Sequence, residues 1–226
     1  MTGKPIIHAF FDEPTNTVSY IVADPATKEA AFVDPVLDYD PGASEVDTRS
    51  VEAMLRFAKE QGYHVCWTLE THAHADHLSG SPYVKAKTGA KIGIGEHIKD
   101  VQRIFRPVFD ATDLKTDGSD FDHLFKDGER FKIGKLDAEV LYTPGHTPAD
   151  ITYKIADAAF VGDTLFMPDY GTARADLPTI FIVRSASSCR CRMRRGCSCA
   201  TTTKRRAAMS TRGRRPSKKN ARRTCM

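Results

Sequence analysis

The sequence predicts a mixed α/β domain, and three observations support that class. Of the 226 residues, 41% are hydrophobic and 27% are charged, which suits one buried core and excludes a collagen-like, coiled-coil or wholly disordered chain. Short β-branched and aromatic runs alternate with turn-forming residues, as strands do. One stretch with apolar residues at helical spacing continues directly into an apolar strand. We therefore expect strands and helices around a single core.

The first elements along the chain are three short strands, predicted at Ile6–Phe11, Thr17–Val22 and Glu29–Val33. The turn formers Pro14-Thr15-Asn16 and Asp24-Pro25 separate them, which predicts an antiparallel meander.

An amphipathic helix is predicted next, from Thr48 to Gln61, because its apolar residues fall at helical spacing: Val51, Met54, Leu55 and Ala58. Gly62 suits the end of that helix, and a strand from Tyr63 to Leu69 follows. A second helix and strand are expected over about Ser81 to Ile94. Later strands are predicted at Arg130–Ile133, Ala138–Tyr142, Ile151–Ile155 and Ala159–Val161.

A dense cluster of metal-ligand side chains stands directly after the strand that ends at Leu69. Four such residues occur within six positions: His72, His74, Asp76 and His77. Nitrogen and oxygen donors at this spacing can be directed at one or two adjacent metal ions. The alternative, a solvated polar turn, would be an unusual use of three histidines after a buried strand.

Two further candidates follow later strands. His146 lies in a Gly- and Pro-containing turn, and Asp163 lies just past an apolar run. Either residue alone would more often be an ordinary turn residue. We expect both to converge with the histidine cluster on one metal pocket.

These motifs together resemble the metallo-β-lactamase superfamily, and most closely its persulfide dioxygenases and β-lactamase hydrolase-like proteins, which are relatives of glyoxalase II. The matching segments are Thr71–Leu78, Thr143–Pro148, Gly162–Phe166 and Asp169–Asp176. The resemblance implies a four-layer αββα sandwich over residues 1–178, with the metal at one edge of its two sheets.

The resemblance to the dioxygenases implies Fe(II) held by His72, His146 and Asp163, with open positions for a thiolate and O₂. The reaction would oxidise glutathione persulfide to sulfite and glutathione. Arg174 and Tyr170 would contact this substrate, the guanidinium by gripping a glutathione carboxylate. The alternative reading for Arg174 is a surface or structural ion-pair residue.

The resemblance to the hydrolases implies instead one or two zinc ions and attack on a glutathione thioester. One zinc would be held by His72, His74 and His146, the other by Asp76, His77 and a last histidine, with Asp163 bridging the two ions. The chain has no histidine after His146. A non-catalytic metal-binding protein of the same fold is a further alternative. Cys66, within an apolar strand, is expected to be a small core residue rather than a nucleophile.

The segment 179–226 differs in composition from everything before it. It contains 15 of the 33 Lys and Arg, five of the six Cys and no acidic residue, so residues 1–178 carry a formal charge of −11. Regrouping by one base the codons that can encode Ala200–Lys204 gives His-Asp-Tyr-Lys, which is typical of the family's ending. We therefore expect the family's C-terminal part to be replaced here by an out-of-frame, disordered basic tail. A Cys-zinc module with a nucleic-acid-binding arm is the rival reading.

The remaining expectations concern partners and location. A small thiol substrate such as glutathione persulfide is the expected partner, and nucleic-acid binding is not favoured despite the basic tail. No run of about 18 apolar residues is present, so no membrane contact is expected and the default location is the cytoplasm. Monomer and homodimer both stay open.

Overall fold

The computed structural model describes residues 3–40, 42–74 and 76–165. Their strands are β1 (Ile6–Asp12), β2 (Thr17–Ala23), β3 (Glu29–Val33), β4 (Val36–Asp40), β5 (Glu45–Asp47), β6 (His64–Leu69), β7 (Leu78–Ser79), β8 (Lys91–Gly95), β9 (His123–Phe125), β10 (Arg130–Ile133), β11 (Leu136–Tyr142), β12 (Ile151–Ile155) and β13 (Ala158–Phe160). The helices are α1 (Arg49–Glu60), α2 (Ser81–Thr88) and α3 (Ile98–Val108), followed by a 3₁₀ turn, Gly162–Thr164.

The strands form two principal sheets and one small one. The six-stranded sheet has the order β1-β2-β3-β6-β8-β9, and the four-stranded sheet has the order β10-β11-β12-β13. Strands β1 to β3 pair antiparallel, which confirms the predicted meander, whereas β3, β6, β8 and β9 pair in parallel. A three-stranded sheet, β5-β4-β7, lies at the carboxyl ends of these parallel strands.

Helix α1 follows its sequence pattern closely. Val51, Met54 and Ala58 are buried, and they pack with apolar residues of β2 and β3. The chain leaves the helix through Gly62, whose φ of +69° is the left-handed conformation that glycine adopts at low cost. The amphipathic stripe therefore covers the outer face of the six-stranded sheet.

The larger core lies between the two principal sheets. Buried residues of β2, β3 and β6 pack there against β10 to β13, with Tyr153, Phe160 and Phe125 among the largest. Position 93 in this layer needs glycine, because a Cβ there would stand 2.5 Å from the Phe125 ring. Helices on one sheet and a second sheet behind it are three layers of the predicted αββα sandwich.

Several predicted features lie outside the described residues. These are Tyr170, Arg174, the domain boundary at residue 178 and the basic tail 179–226. Within the described segments, no helix combines the length and apolar character needed to span a bilayer.

Candidate metal centre

The histidine cluster begins where β6 ends and is fixed to the neighbouring strand β3 by Asp34. The Asp34 amide donates to the Leu69 carbonyl at 2.9 Å, and its carboxylate accepts from the Thr71 amide at 2.7 Å and the Thr71 hydroxyl at 2.9 Å. Asp34 is fully buried and has a φ of +48°. These hydrogen bonds tie the residue after β3 to the end of the parallel strand β6, and so they fix the direction in which the histidine loop leaves the sheet.

Three predicted ligands come together at this edge from separate parts of the chain. His72, His146 and Asp163 each offer a ligand atom, and these atoms lie within 4.8 Å of one another. His146 Nε2 is 3.5 Å from Asp163 Oδ2, and the rings of His72 and His146 are 5.1 Å apart. Two imidazoles and one carboxylate thus converge, the donor set of a 2-His-1-carboxylate metal site.

The other three predicted ligands form a second group beside the first. The ligand atoms of His74, Asp76 and His77 also lie within 4.8 Å of one another. The rings of His74 and His77 stack 4.1 Å apart, and the His72 ring is 4.1 Å from that of His74. Asp76 accepts a hydrogen bond from the Thr17 hydroxyl of β2 at 3.1 Å. The two groups are therefore contiguous.

The hydrogen bonds of the three loop histidines show which nitrogen atoms would face a metal ion. His72 Nδ1 contacts the Thr71 hydroxyl at 3.0 Å, and His77 Nδ1 contacts the Leu78 carbonyl at 2.9 Å. The remaining ring atoms, His72 Nε2, His74 Nδ1 and His77 Nε2, are buried and have no hydrogen-bond partner among the described residues. Buried polar atoms are normally paired. Three such atoms in one pocket fit a metal ion that takes their lone pairs.

Burial and local charge shift the pKa values of the loop histidines in opposite directions. Burial, with the neighbouring His74, holds the pKa of His72 well below its ordinary value, so that ring is neutral at pH 7. Burial alone would also lower the pKa of His74, but the Asp34 and Glu70 carboxylates outweigh it and raise the pKa well above the ordinary value. A raised pKa favours the doubly protonated imidazolium, and a divalent cation bound at His74 Nδ1 would replace the proton on that nitrogen.

The turn that carries His146 is held by Asp150. Its carboxylate accepts from the Thr147 amide at 2.8 Å and from the Thr147 hydroxyl, and its carbonyl accepts from the Thr143 amide at 3.0 Å. Burial raises the pKa of Asp150 to about 6. Next along the chain, the Ile151 amide donates to the Thr71 carbonyl at 3.0 Å, so the two sheets meet at the site.

Asp163 depends on the glycine before it. Gly162 has a φ of +51°, and a Cβ there would lie 2.4 Å from the Thr71 hydroxyl and 3.4 Å from His72 Nδ1. Only glycine allows the segment of Asp163 to pass this close to the histidine loop.

A family model of the metallo-β-lactamase superfamily matches residues 14–190. The chain belongs to this superfamily. The match ends inside the predicted tail, and the boundary at residue 178 stays a prediction. Members of the superfamily bind metal ions, in agreement with the converging ligand atoms.

Individual relatives carry several functional names. A β-lactamase hydrolase-like protein of Agrobacterium fabrum is 51% identical over 77% of this chain and 40% of its own length. A hydroxyacylglutathione hydrolase of Methylobacterium nodulans is 34% identical over 64% of this chain and 52% of its own. The mitochondrial persulfide dioxygenase ETHE1 of Homo sapiens is 27% identical over 75% and 57%. The chain thus spans 40 to 57% of the length of these three superfamily relatives.

Sequence reasoning missed two buried carboxylates of this superfamily site, Asp34 and Glu70. His74 Nε2 lies 3.2 Å from Asp34 Oδ1 and 3.3 Å from Glu70 Oε2. The available signal was a charged residue directly after each of two apolar strands, Glu29–Val33 and His64–Leu69. Only the parallel pairing of those strands shows that both side chains reach the same imidazole.

An open cleft of about 870 Å³ adjoins the second group of ligands. Its walls are the β1–β2 turn, the β4–β5 hairpin and Leu78 beside His74 and His77. Arg49 is the one Lys or Arg among the described lining, and carboxylates dominate this wall: Asp12, Asp38, Asp40, Glu45, Asp47 and Asp76. Arg49 pairs with Asp47 at 2.5 Å, so the wall keeps a negative charge.

Proposed function

We propose that this chain is an iron-dependent dioxygenase that oxidises glutathione persulfide. The observation that carries the proposal is the set His72, His146 and Asp163, which supplies two imidazoles and one carboxylate without any ligand from the second group. Such a set suits non-haem Fe(II) oxygenases because it leaves coordination positions open. The resemblance of the motifs to those of persulfide dioxygenases supports the same choice.

The reaction would consume one persulfide, one O₂ and one water, and would release glutathione, sulfite and two protons. When bound, Fe(II) would supply coordination positions for the persulfide sulfur and O₂, so that the electrons that reduce O₂ pass to it from sulfur. The protein's own contribution is to orient the ligands. The lowered pKa keeps His72 neutral with its Nε2 lone pair available, and Asp150 holds the turn of His146.

Zinc-dependent hydrolysis of a glutathione thioester is the second candidate. It is favoured by the second group, His74, Asp76 and His77, which would hold another ion beside the first. The names of two relatives also point to hydrolysis. Against it, none of residues 147–226 is a histidine, so this stretch supplies no further imidazole for the second zinc. The proposed iron site is not affected, because its three ligands, His72, His146 and Asp163, are all present.

One preparation decides between the two activities. The purified protein is loaded with Fe(II) or with Zn²⁺, and O₂ uptake with glutathione persulfide is measured beside hydrolysis of S-lactoylglutathione. We expect O₂ uptake with iron, with sulfite formed in equal amount. His146→Ala should abolish it, whereas His64→Ala, at the exposed opposite end of β6, should not. Thioester hydrolysis without O₂ uptake would reverse the assignment.

A further inference from the structure

Two carboxylates approach Nε2 of His74, although one acceptor would be enough to fix the tautomer of the imidazole. A neutral imidazole has one N–H and one lone pair, and a single acceptor on Nε2 is enough to leave the Nδ1 lone pair for a metal ion. Asp34 provides that acceptor at 3.2 Å. Glu70 nevertheless places a second carboxylate oxygen 3.3 Å from the same nitrogen.

Glu70 is held in this position from several sides. Its Oε1 accepts from the hydroxyls of Ser79, in β7, and Ser81, the first residue of α2. Its amide donates to the Gly93 carbonyl at 2.9 Å, and its carbonyl accepts from the Tyr153 hydroxyl at 3.0 Å. The residue is 2% exposed. The carboxylate therefore cannot turn away from His74 toward solvent.

Burial of a second carboxylate is costly unless positive charge lies nearby. The nearest ionisable partner among the described residues is His74, and its Nδ1 is one of the buried ring atoms that would face a metal ion. Two carboxylates behind one ligand offset the two charges of a divalent cation in front of it. Outer contacts of this kind set the orientation and basicity of a ligating imidazole.

We propose that Glu70 is a positioning residue for the metal centre, acting through His74. With Asp34, it directs the Nδ1 lone pair of His74 into the pocket, and its charge strengthens the binding of a divalent cation. The proposal requires a divalent cation at His74 Nδ1, in the second group of ligands, and requires neither iron on His72, His146 and Asp163 nor the dioxygenase reaction. It can therefore fail or stand independently of the proposed function.

The test measures metal affinity rather than turnover. Apo protein is titrated with Co²⁺ against a competing chelator, and the visible absorption of bound Co²⁺ is recorded. We expect Glu70→Gln to weaken binding about 10- to 100-fold and to change the Co²⁺ spectrum. Glu52→Gln is the matched control, because the half-buried Glu52, like Glu70, accepts a hydrogen bond from a hydroxyl, that of Tyr83, on the helical side of the sheet. It should leave both readouts unchanged.

A double-mutant cycle tests whether Glu70 acts through His74. If it does, Glu70→Gln in a His74→Ala background should cause little additional loss of Co²⁺ affinity. An equal loss in both backgrounds, or a lower melting temperature with unchanged affinity, would overturn the proposal. If Glu70→Gln does not fold, Ser79→Ala, which removes a hydroxyl that holds the carboxylate, replaces it and should weaken Co²⁺ binding in the same direction. An unchanged affinity there would also overturn it.

Discussion

Gly162→Ala tests whether the approach of the Asp163 segment to the histidine loop builds the metal centre. An alanine there would adopt a φ of +51° and place its Cβ 2.4 Å from Thr71 Oγ1 and 2.8 Å from Thr71 Cβ. The left-handed conformation costs a non-glycine residue about 1–2 kcal/mol. Overpacking a tight contact typically costs about 1–3 kcal/mol more. We therefore expect a loss of about 2–5 kcal/mol in the free energy of unfolding, together with weaker metal binding.

Gly89→Ala separates the two contributions. Gly89 ends α2 with a φ of +76°, but a Cβ there would meet no atom within 4 Å. Its replacement should cost only the backbone strain of about 1–2 kcal/mol and leave metal affinity unchanged. Urea unfolding gives the stability of both variants, and chelator competition gives their affinity for Co²⁺. Equal destabilisation with intact metal binding in Gly162→Ala would refute the argument.

Three further predictions use other parts of the molecule. Burial and the charge of Glu29 raise the pKa of the Cys66 thiol to about 11, so little of its reactive thiolate is present at pH 8. Peptide mass analysis should therefore find Cys66 unlabelled by iodoacetamide in the native protein and labelled in urea. Tyr153→Phe removes the hydroxyl that donates to the Glu70 and Gly93 carbonyls, and urea unfolding should show a loss of about 1–3 kcal/mol. Glu45→Lys reverses a charge in the acidic cleft, and weaker repulsion of the anionic glutathione persulfide should raise kcat/KM several-fold at low salt. A gain that persists at high salt would contradict this electrostatic explanation.

The sequence allowed good prediction of elements whose own side chains determine them. Strands Arg130–Ile133 and Ile151–Ile155 have the predicted bounds, and α1 differs by one residue at each end, because burial follows their apolar periodicity. The hairpin of β4 and β5 was missed because its strands are short and largely acidic. Helix α3 was missed although Ile98, Val101 and Phe105 recur at helical spacing; Pro107 lies inside it, and proline normally interrupts a helix.

The metal ligands could be proposed from sequence because histidine at that density is rare outside metal sites. The contacts that hold them could not. Asp34 and Glu70 reach His74 only because β3 and β6 pair in parallel, and Gly162 approaches Thr71 only through the meeting of the two sheets. These relations depend on strand order, which a single sequence does not display.

Iron content after equilibrium dialysis tests most directly whether His72, His146 and Asp163 form a sufficient metal centre. Wild-type protein and His77→Ala are dialysed anaerobically against Fe(II), and bound iron is measured by mass spectrometry. We expect one iron per chain in both proteins, because His77 belongs to the second group of ligands, and none in Asp163→Ala. Two metal ions per wild-type chain, falling to one in His77→Ala, would contradict the mononuclear site and favour the two-metal hydrolase.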